Sequence, residues 1–253
     1  MTYILLFIVG FASWFGGTLA AGGAGMIFLV LAGFVLPLPV VPVVLSFTGM
    51  VAGSYRTWIY RRDVDYKILA WLLPGTVAGA LIGTKILVVI VSVEAARTLE
   101  LLMGVFLASS GAIALSRWKP LDLPARLWLF LPFGFVTSVL SGIIGAGSPA
   151  INMLFRKFPM PPVRMVGTKS LNLFILQLSK SFMYAFFMSS AAEGAWDGIV
   201  RQDLLGLCVS ASCGAVLGSY ASKKILHKIK GEHFDTALNI MLVVAGLKML
   251  YPA

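Results

Sequence analysis

Charged side chains are scarce in this 253-residue sequence: they make up 12% of it, against 59% for hydrophobic residues. A soluble globular domain is typically about a quarter charged, so the composition excludes that class. The mean hydropathy is +0.93, and apolar runs of roughly 20 residues recur along the chain. This pattern is typical of a helical protein that crosses a membrane several times. No polar stretch is long enough to form a separate soluble domain.

Cysteine and histidine are almost absent, and neither forms a recognisable reactive site. Cys208 and Cys213 lie five residues apart in one apolar segment, where they face different directions and do not favour a disulfide. His227 and His233 lie in a basic loop without metal-ligand partners at a suitable spacing. We therefore expect a protein that is not an enzyme and that needs no cofactor.

Acidic side chains are missing from the middle of every apolar run. All ten Asp and Glu residues lie in or near expected loops or helix ends, so no carboxylate is available inside the membrane as an obvious proton or sodium ligand. An anion that leaves a cell with a negative interior gains about 2.3 kcal/mol per charge per 100 mV. If the chain is an anion exporter, we hypothesise that it runs on the membrane potential and the substrate gradient, without a dedicated coupling site.

The chain divides into two halves with one plan, residues 1–118 and 119–253. Gly23-Ala24-Gly25 recurs as Gly145-Ala146-Gly147, and the Pro37–Pro39 turn recurs at the same offset of 122 positions. Internal repeats of this kind build many secondary transporters. The fold class predicted is an all-α membrane protein of about eight hydrophobic segments. The expected helical runs are 3–21, 26–36, 40–60, 68–91 and 98–116, then 126–142, 150–158, 166–189, 204–225 and 234–251.

Positive charge separates two possible topologies. If every apolar segment crosses the membrane, the two faces carry nine and eight Lys and Arg residues, which is no bias. If each glycine-broken segment is a re-entrant hairpin and the repeats are inverted, the faces carry fourteen and four. Cytoplasmic loops are enriched in Lys and Arg, so the inverted arrangement is favoured. It predicts a protein of the bacterial inner membrane with both termini on the periplasmic side. The net charge of +10 then reflects topology, and no basic run interleaved with aromatic residues points to nucleic acid.

The glycine breaks are suited to binding an anion. Re-entrant backbone is tolerated only where protein buries it or a cavity hydrates it. The helices that follow the breaks are expected to begin near Gly25 and Ser148, and a helix N-terminus carries partial positive charge and unpaired N–H donors. Two inverted hairpins would direct two such ends at one central cavity.

The helix from Val166 adds polar side chains to this site. Lys169, Asn172 and Lys180 share one face of it, and two lysines inside a membrane-length segment are expensive. For each lysine a purely structural interpretation is also open, because its long side chain could extend the ammonium group to the membrane–water interface. The remaining candidates are hydroxyls near the start of two helices: Ser46 and Thr48, and Thr168 and Ser170. For Ser46 and Thr48, a bond to a local carbonyl is an equally good interpretation.

These features together resemble the sulfite exporter (TauE/SafE) family of membrane permeases over nearly the whole chain. The resemblance rests on the repeated glycine break, the proline turn and the small-hydroxyl pair that follows it. The runs GALIGTKIL and GAVLGSYASKKIL add to it. By resemblance, the binding positions are Gly23, Gly25, Gly145, Gly147, Thr168 and Ser170, and the fold and mode of action are those of a sulfur-anion carrier.

The resemblance implies export of sulfite or an organosulfonate, with the lipid bilayer as the other partner. Lys169, inside the Thr-Ser pair, indicates a more strongly anionic or differently shaped substrate. Thiosulfate is disfavoured because neither cysteine lies at a break. The alternative interpretation is a carrier or importer of another small oxyanion or carboxylate, or of thiosulfate.

Overall fold

The protein is described by a computed structural model that covers residues 1–19, 23–38, 40–92, 96–116, 126–145, 151, 154–155, 158, 160–190, 203–225 and 232–251. Within these residues it is helical, and no strand occurs. The helices are α1 (Thr2–Leu19), α2 (Ala24–Ala32), α3 (Val41–Tyr60), α4 (Tyr66–Ser92), α5 (Ala96–Leu115), α6 (Phe130–Ile144), α7 (Pro162–Ser190), α8 (Leu204–Ile225) and α9 (Glu232–Leu250). The predicted all-α class is confirmed.

Four segments in the described part of the chain are long and apolar enough to cross a membrane: Tyr66–Val91, Arg97–Leu115, Leu127–Ile144 and Leu204–Ser222. They lie in α4, α5, α6 with the turn before it, and α8. Helices α3 and α7 are also 20 and 29 residues long. They are not among the four, because polar and charged residues lower their hydropathy.

The helices are interrupted at both glycine breaks. α1 ends at Leu19 and α2 begins at Ala24. α6 ends at Ile144, and the next residue, Gly145, has φ +95°. Only glycine adopts this left-handed conformation readily, which is why it commonly ends a helix. The segment expected to follow the second break, 150–158, lies mostly outside the described residues.

Helices α4 and α6 touch through their backbones. A Cβ added at Gly75, Gly79 or Gly83 would lie 2.2–2.3 Å from a carbonyl oxygen of α6. Those oxygens belong to Leu131, Phe135 and Val139 in that order, so the two helices run parallel. Small residues allow this close approach in lipid, where packing replaces the hydrophobic effect as the driving force.

Helices α1 and α8 make the corresponding interface, also in parallel. Gly214 and Gly218 face the carbonyl oxygens of Phe7 and Phe11. One turn earlier, the Ser210 hydroxyl donates a hydrogen bond to the carbonyl of Tyr3. Ser210 precedes Gly214 by four positions, as Gly75 precedes Gly79.

Two further pairs run antiparallel. In α5 and α9, Gly104 faces Gly246 while Gly111 faces Asn239. This pair packs extensively on itself and only slightly on α2, α4 and α6. In α3 and α7, Gly49 lies against the Gln177 side chain and Gly53 against Phe174. The α3/α7 pair also contacts α4 and α8 and is therefore at the centre of the bundle.

Candidate functional site

Lys180, in the second half of α7, is completely buried. Among the described residues, no other Lys, Arg, Asp or Glu is as inaccessible. Its ammonium nitrogen has no hydrogen-bond partner in the described part of the chain. An uncompensated buried charge costs several kcal/mol. Such a cost is typical of a functional position in a membrane protein.

One face of α7 continues this polar environment. Gln177, Lys180, Ser181 and Tyr184 follow at i, i+3, i+4 and i+7, so they line a single side of the helix. All four are buried. Gln177 fits against α3 because position 49 is glycine: a Cβ there would lie 2.7 Å from the Gln177 amide nitrogen. The face is therefore directed at α3, in the centre of the bundle.

Tyr184 links this face to three other helices. Its hydroxyl donates a hydrogen bond of 3.2 Å to the carbonyl of Gly142, three residues before the break at Gly145. The hydroxyls of Ser46 in α3 and Thr84 in α4 lie near the same oxygen, although the Thr84 hydroxyl makes no hydrogen bond of good geometry with it. Tyr184 therefore marks the point where α3, α4, α6 and α7 come together.

Several buried polar atoms around this point have no partner among the described residues: Thr48 Oγ1, Thr84 Oγ1, Gln177 Oε1 and Ser181 Oγ. A helical hydroxyl can usually bond to a carbonyl of the preceding turn. Others in this chain do so, namely Ser46 to Pro42, Thr137 to Phe133, Thr168 to Arg164 and Ser179 to Ile175. Buried polar groups are normally paired, so an unpaired group needs a physical reason. One such reason is that the group binds a ligand.

The Thr168 hydroxyl is occupied in local structure. It donates to the Arg164 carbonyl and accepts a 2.8 Å hydrogen bond from the backbone N–H of Asp65, just before α4. Gly167 next to it packs against the backbone of Asp63 and Tyr60. The start of α7 is thus fixed to the turn between α3 and α4.

The two lysines of α7 do not share a site. Lys169 is half-buried and lies beside Thr168, at the level of the turn Arg61–Asp63. Lys180 is eleven residues further on, about 16 Å along the helix axis. Between them, Ser170 and Asn172 are buried, and the Asn172 side-chain oxygen accepts a 2.9 Å hydrogen bond from Thr76 of α4. The structure therefore divides the predicted face of α7 into two separate regions.

The second glycine break lies close to the region of Lys180, since Tyr184 bonds to Gly142. A Cβ at Gly145 would contact Leu45 of α3 and Leu29 of α2, so α6 ends where α2 and α3 meet. Gly23 is the residue before α2, and Gly25 lies in its first turn. Gly147 and Ser148 lie outside the described residues.

Four residues of this region were not among the site residues predicted from the sequence: Thr84, Gln177, Ser181 and Tyr184. The signal for two of them was present, since Gln177 and Ser181 are polar residues on the face of Lys180 in a membrane-length helix. Thr84 directly follows the glycine run of α4. No feature of the sequence distinguishes Tyr184 from the other tyrosines, because its role depends on the approach of α6.

Comparison with known families settles the class of protein. Residues 5–249 match the profile of the family described as sulfite exporter TauE/SafE. The chain belongs to the TauE/SafE family. No curated protein and no solved structure matches it. As a TauE/SafE protein it is a multi-pass membrane transporter. In the described residues, no group of three or more His, Cys, Asp or Glu side chains is placed to hold a metal ion.

Proposed function

We propose that this TauE/SafE protein exports a small sulfur-containing anion, sulfite or an organosulfonate, through a site centred on Lys180. The observation that carries the proposal is the buried ammonium group, which has no counter-charge among the described residues. An anion bound there supplies the missing charge. Hydrogen bonds between an ammonium group and an oxyanion are about twice as strong as neutral ones.

The neighbouring polar atoms suit an oxyanion. Thr48, Thr84 and Ser181 each have a hydroxyl that is buried and unpaired among the described residues, and each can donate one hydrogen bond. The oxygens of a sulfite or sulfonate group point in three directions, so donors from α3, α4 and α7 can reach different ones. The break at Gly145 lies nearby and, in the proposal, supplies backbone N–H groups from the helix that follows it.

The proposal places the site between two inverted repeats, residues 1–118 and 119–253. The pairing of helices supports this division: α1 packs on α8 as α6 packs on α4, and α3 packs on α8 as α7 packs on α4. The remaining pairs, α3 with α7 and α5 with α9, join equivalent helices. Single contacts agree, since Gly79 faces Phe135 while its equivalent, Gly214, faces Phe7.

The helix directions support re-entrant hairpins. α6 runs parallel to α4, and α7 begins beside the turn that precedes α4. The chain between residues 130 and 161 therefore enters from one face of the bundle and returns to it. By the same reasoning α1 is parallel to α8, α3 is antiparallel to α7, and residues 1–40 enter and return at the opposite face.

Charge orients the carrier in the membrane. Arg61, Arg62 and Lys67 lie at the face where α4 begins, with Arg126 and Arg164 near the starts of α6 and α7. Fewer described cations lie towards the other face, among them Lys85, Arg97 and Lys248. The positive-inside rule makes the first face cytoplasmic and both termini periplasmic. Export then moves the anion from the face of Asp63 to the face of Arg97.

Transport across a sealed membrane tests the proposal. Protein reconstituted in liposomes is loaded with labelled sulfite, and efflux is followed under a potassium diffusion potential. We expect efflux that rises with the potential and is lost in Lys180→Gln. The matched control is Lys85→Gln, an exposed lysine of α4, which should transport normally.

Two outcomes contradict the proposal. Undiminished sulfite efflux in Lys180→Gln would exclude the site. Acetate or phosphate that moves as fast as sulfite, sulfoacetate and taurine would exclude the substrate class while the site stands.

A further inference from the structure

A cavity of about 200 Å³ lies between α2 and the α5/α9 pair. Its lining includes Phe34 and Leu38, which follow α2, Arg97 and Glu100 in the first turns of α5, and Lys248 near the end of α9. All of these residues lie at or just beyond helix ends on one face of the bundle. The cavity therefore lies at the level of the membrane–water boundary, away from Lys180.

Arg97 is held in place but still has donors available. Its guanidinium donates to Glu100 Oε2 at 2.9 Å and to the carbonyls of Met249 and Leu250 at 3.2 and 3.1 Å. A guanidinium carries five N–H groups, so two of them make no hydrogen bond to a described residue. These bonds join the beginning of α5 to the end of α9 and fix the direction of the guanidinium.

Lys248 supplies the net charge of the cavity. Its ammonium nitrogen lies 4.5 Å from the centre of the Phe34 ring. It makes no ion pair with a described carboxylate, and the Glu100 carboxylate is already paired with Arg97. Among the described lining residues, two cations and one carboxylate leave an excess of one positive charge. The ring contact holds the ammonium group over the cavity at little cost to its hydration.

Apart from Gly33 and Tyr251, the rest of the lining is apolar, formed by Val30, Leu38, Ala245 and Met249. Phe34 is 65% exposed. A site with fixed cations at the boundary and apolar walls towards the bilayer fits an amphiphilic anion better than a small inorganic ion. Basic pockets between membrane helices on the cytoplasmic or matrix side bind lipid headgroups, and this cavity has a similar lining at the opposite face of the bundle.

We propose that this cavity binds the headgroup phosphate of an anionic phospholipid, with Lys248 and the free donors of Arg97 as its ligands and the apolar walls against its acyl chains. The α5/α9 pair makes few contacts with α2, α4 and α6. A lipid in the cavity adds contacts between α2 and this pair. The site is independent of the transported anion and of Lys180.

Lipid-dependent thermal stability tests the proposal. Purified protein in a neutral detergent is unfolded with equal concentrations of dioctanoyl phosphatidylglycerol, dioctanoyl phosphatidylcholine or sodium phosphate. We expect phosphatidylglycerol to raise the unfolding temperature more than the other two, because a ligand of the folded state stabilises it by RT ln(1 + [L]/Kd). Lys248→Gln should weaken phosphatidylglycerol binding about tenfold, the size expected for a lost charged hydrogen bond. Lys85→Gln should leave it unchanged.

Three results of these measurements would overturn the proposal. Equal effects of phosphatidylglycerol and phosphatidylcholine, or unchanged binding in Lys248→Gln, overturn the site. An effect of sodium phosphate as large as that of phosphatidylglycerol overturns the lipid as the ligand. Native mass spectrometry of the same samples gives a second readout, since the wild type should retain phosphatidylglycerol that Lys248→Gln loses.

Discussion

The start of α7 and its second half each contain a lysine next to a buried hydroxyl. The two regions differ in whether the polar groups are hydrogen-bonded. Near its start, the Thr168 hydroxyl both donates and accepts a hydrogen bond. Eleven residues after Lys169, Lys180 is fully buried, and its ammonium group and the Ser181 hydroxyl have no partner in the described residues. A hydroxyl or lysine in a membrane helix is therefore not informative by type alone. What distinguishes a structural from a ligand-binding position is whether the protein already satisfies it.

Replacing Lys180 is expected to have the largest effect. Lys180→Met should weaken anion binding by at least about tenfold, because the charged partner is lost. It should also raise the unfolding temperature in the absence of ligand, since a well-packed apolar side chain replaces an unpaired buried charge. Isothermal titration with sulfite and thermal unfolding of the same preparation measure both effects. A variant that is destabilised without ligand would show that Lys180 has a structural partner.

Replacing Thr168 should lower the stability of the protein and leave its affinity for the anion unchanged. Thr168→Val leaves the Asp65 N–H without its acceptor, and an unsatisfied buried donor costs about 1–3 kcal/mol. We expect a lower unfolding temperature with an unchanged dissociation constant for sulfite. Thr168→Ser, which keeps the hydroxyl, is the matched control. If Thr168→Val binds sulfite much more weakly while remaining folded, the start of α7 belongs to the binding site.

The smallest of the three effects is expected for Thr84. Thr84→Val keeps the shape of the side chain and removes a hydroxyl that has no partner among the described residues. Stability without ligand should be unchanged, and anion affinity should fall about two- to tenfold, as expected for one neutral hydrogen bond. Thr137→Val provides the comparison, because that hydroxyl is bonded within α6. Equal affinities in the two variants would remove Thr84 from the site.

The helices were largely predictable from the sequence, because they depend on local patterns. Apolar runs bounded by glycine, proline and charged residues predicted α3, α8 and α9 to within two residues of their observed ends. The break before Ala24 and the one at Gly145 were predicted from glycine alone, since the left-handed conformation at Gly145 favours that residue.

The site was predictable only in part, because hydrogen bonding depends on neighbours that are distant in sequence. Thr48 and Thr168 are both threonines near the start of a helix, but only Thr168 meets the Asp65 N–H, 103 positions away. The sequence indicated that Lys180 is costly without indicating whether it is paired. Tyr184 acquires its role from Gly142, on a helix whose approach no local pattern specifies.

The glycine contacts also determine which parts of the protein can move. Where α4 meets α6, and α1 meets α8, backbone lies directly on backbone. No side chain lies between them at these glycines to change rotamer and permit sliding, so each pair is stiff and should move as one piece. The contact of α3 with α7 is mixed: at Gly53 it meets the Phe174 backbone, but at Gly49 it passes through the flexible Gln177 side chain. The less rigid contact, at Gly49, is therefore one turn of α7 away from the buried cation, and an anion bound as we propose at Lys180 would sit beside it.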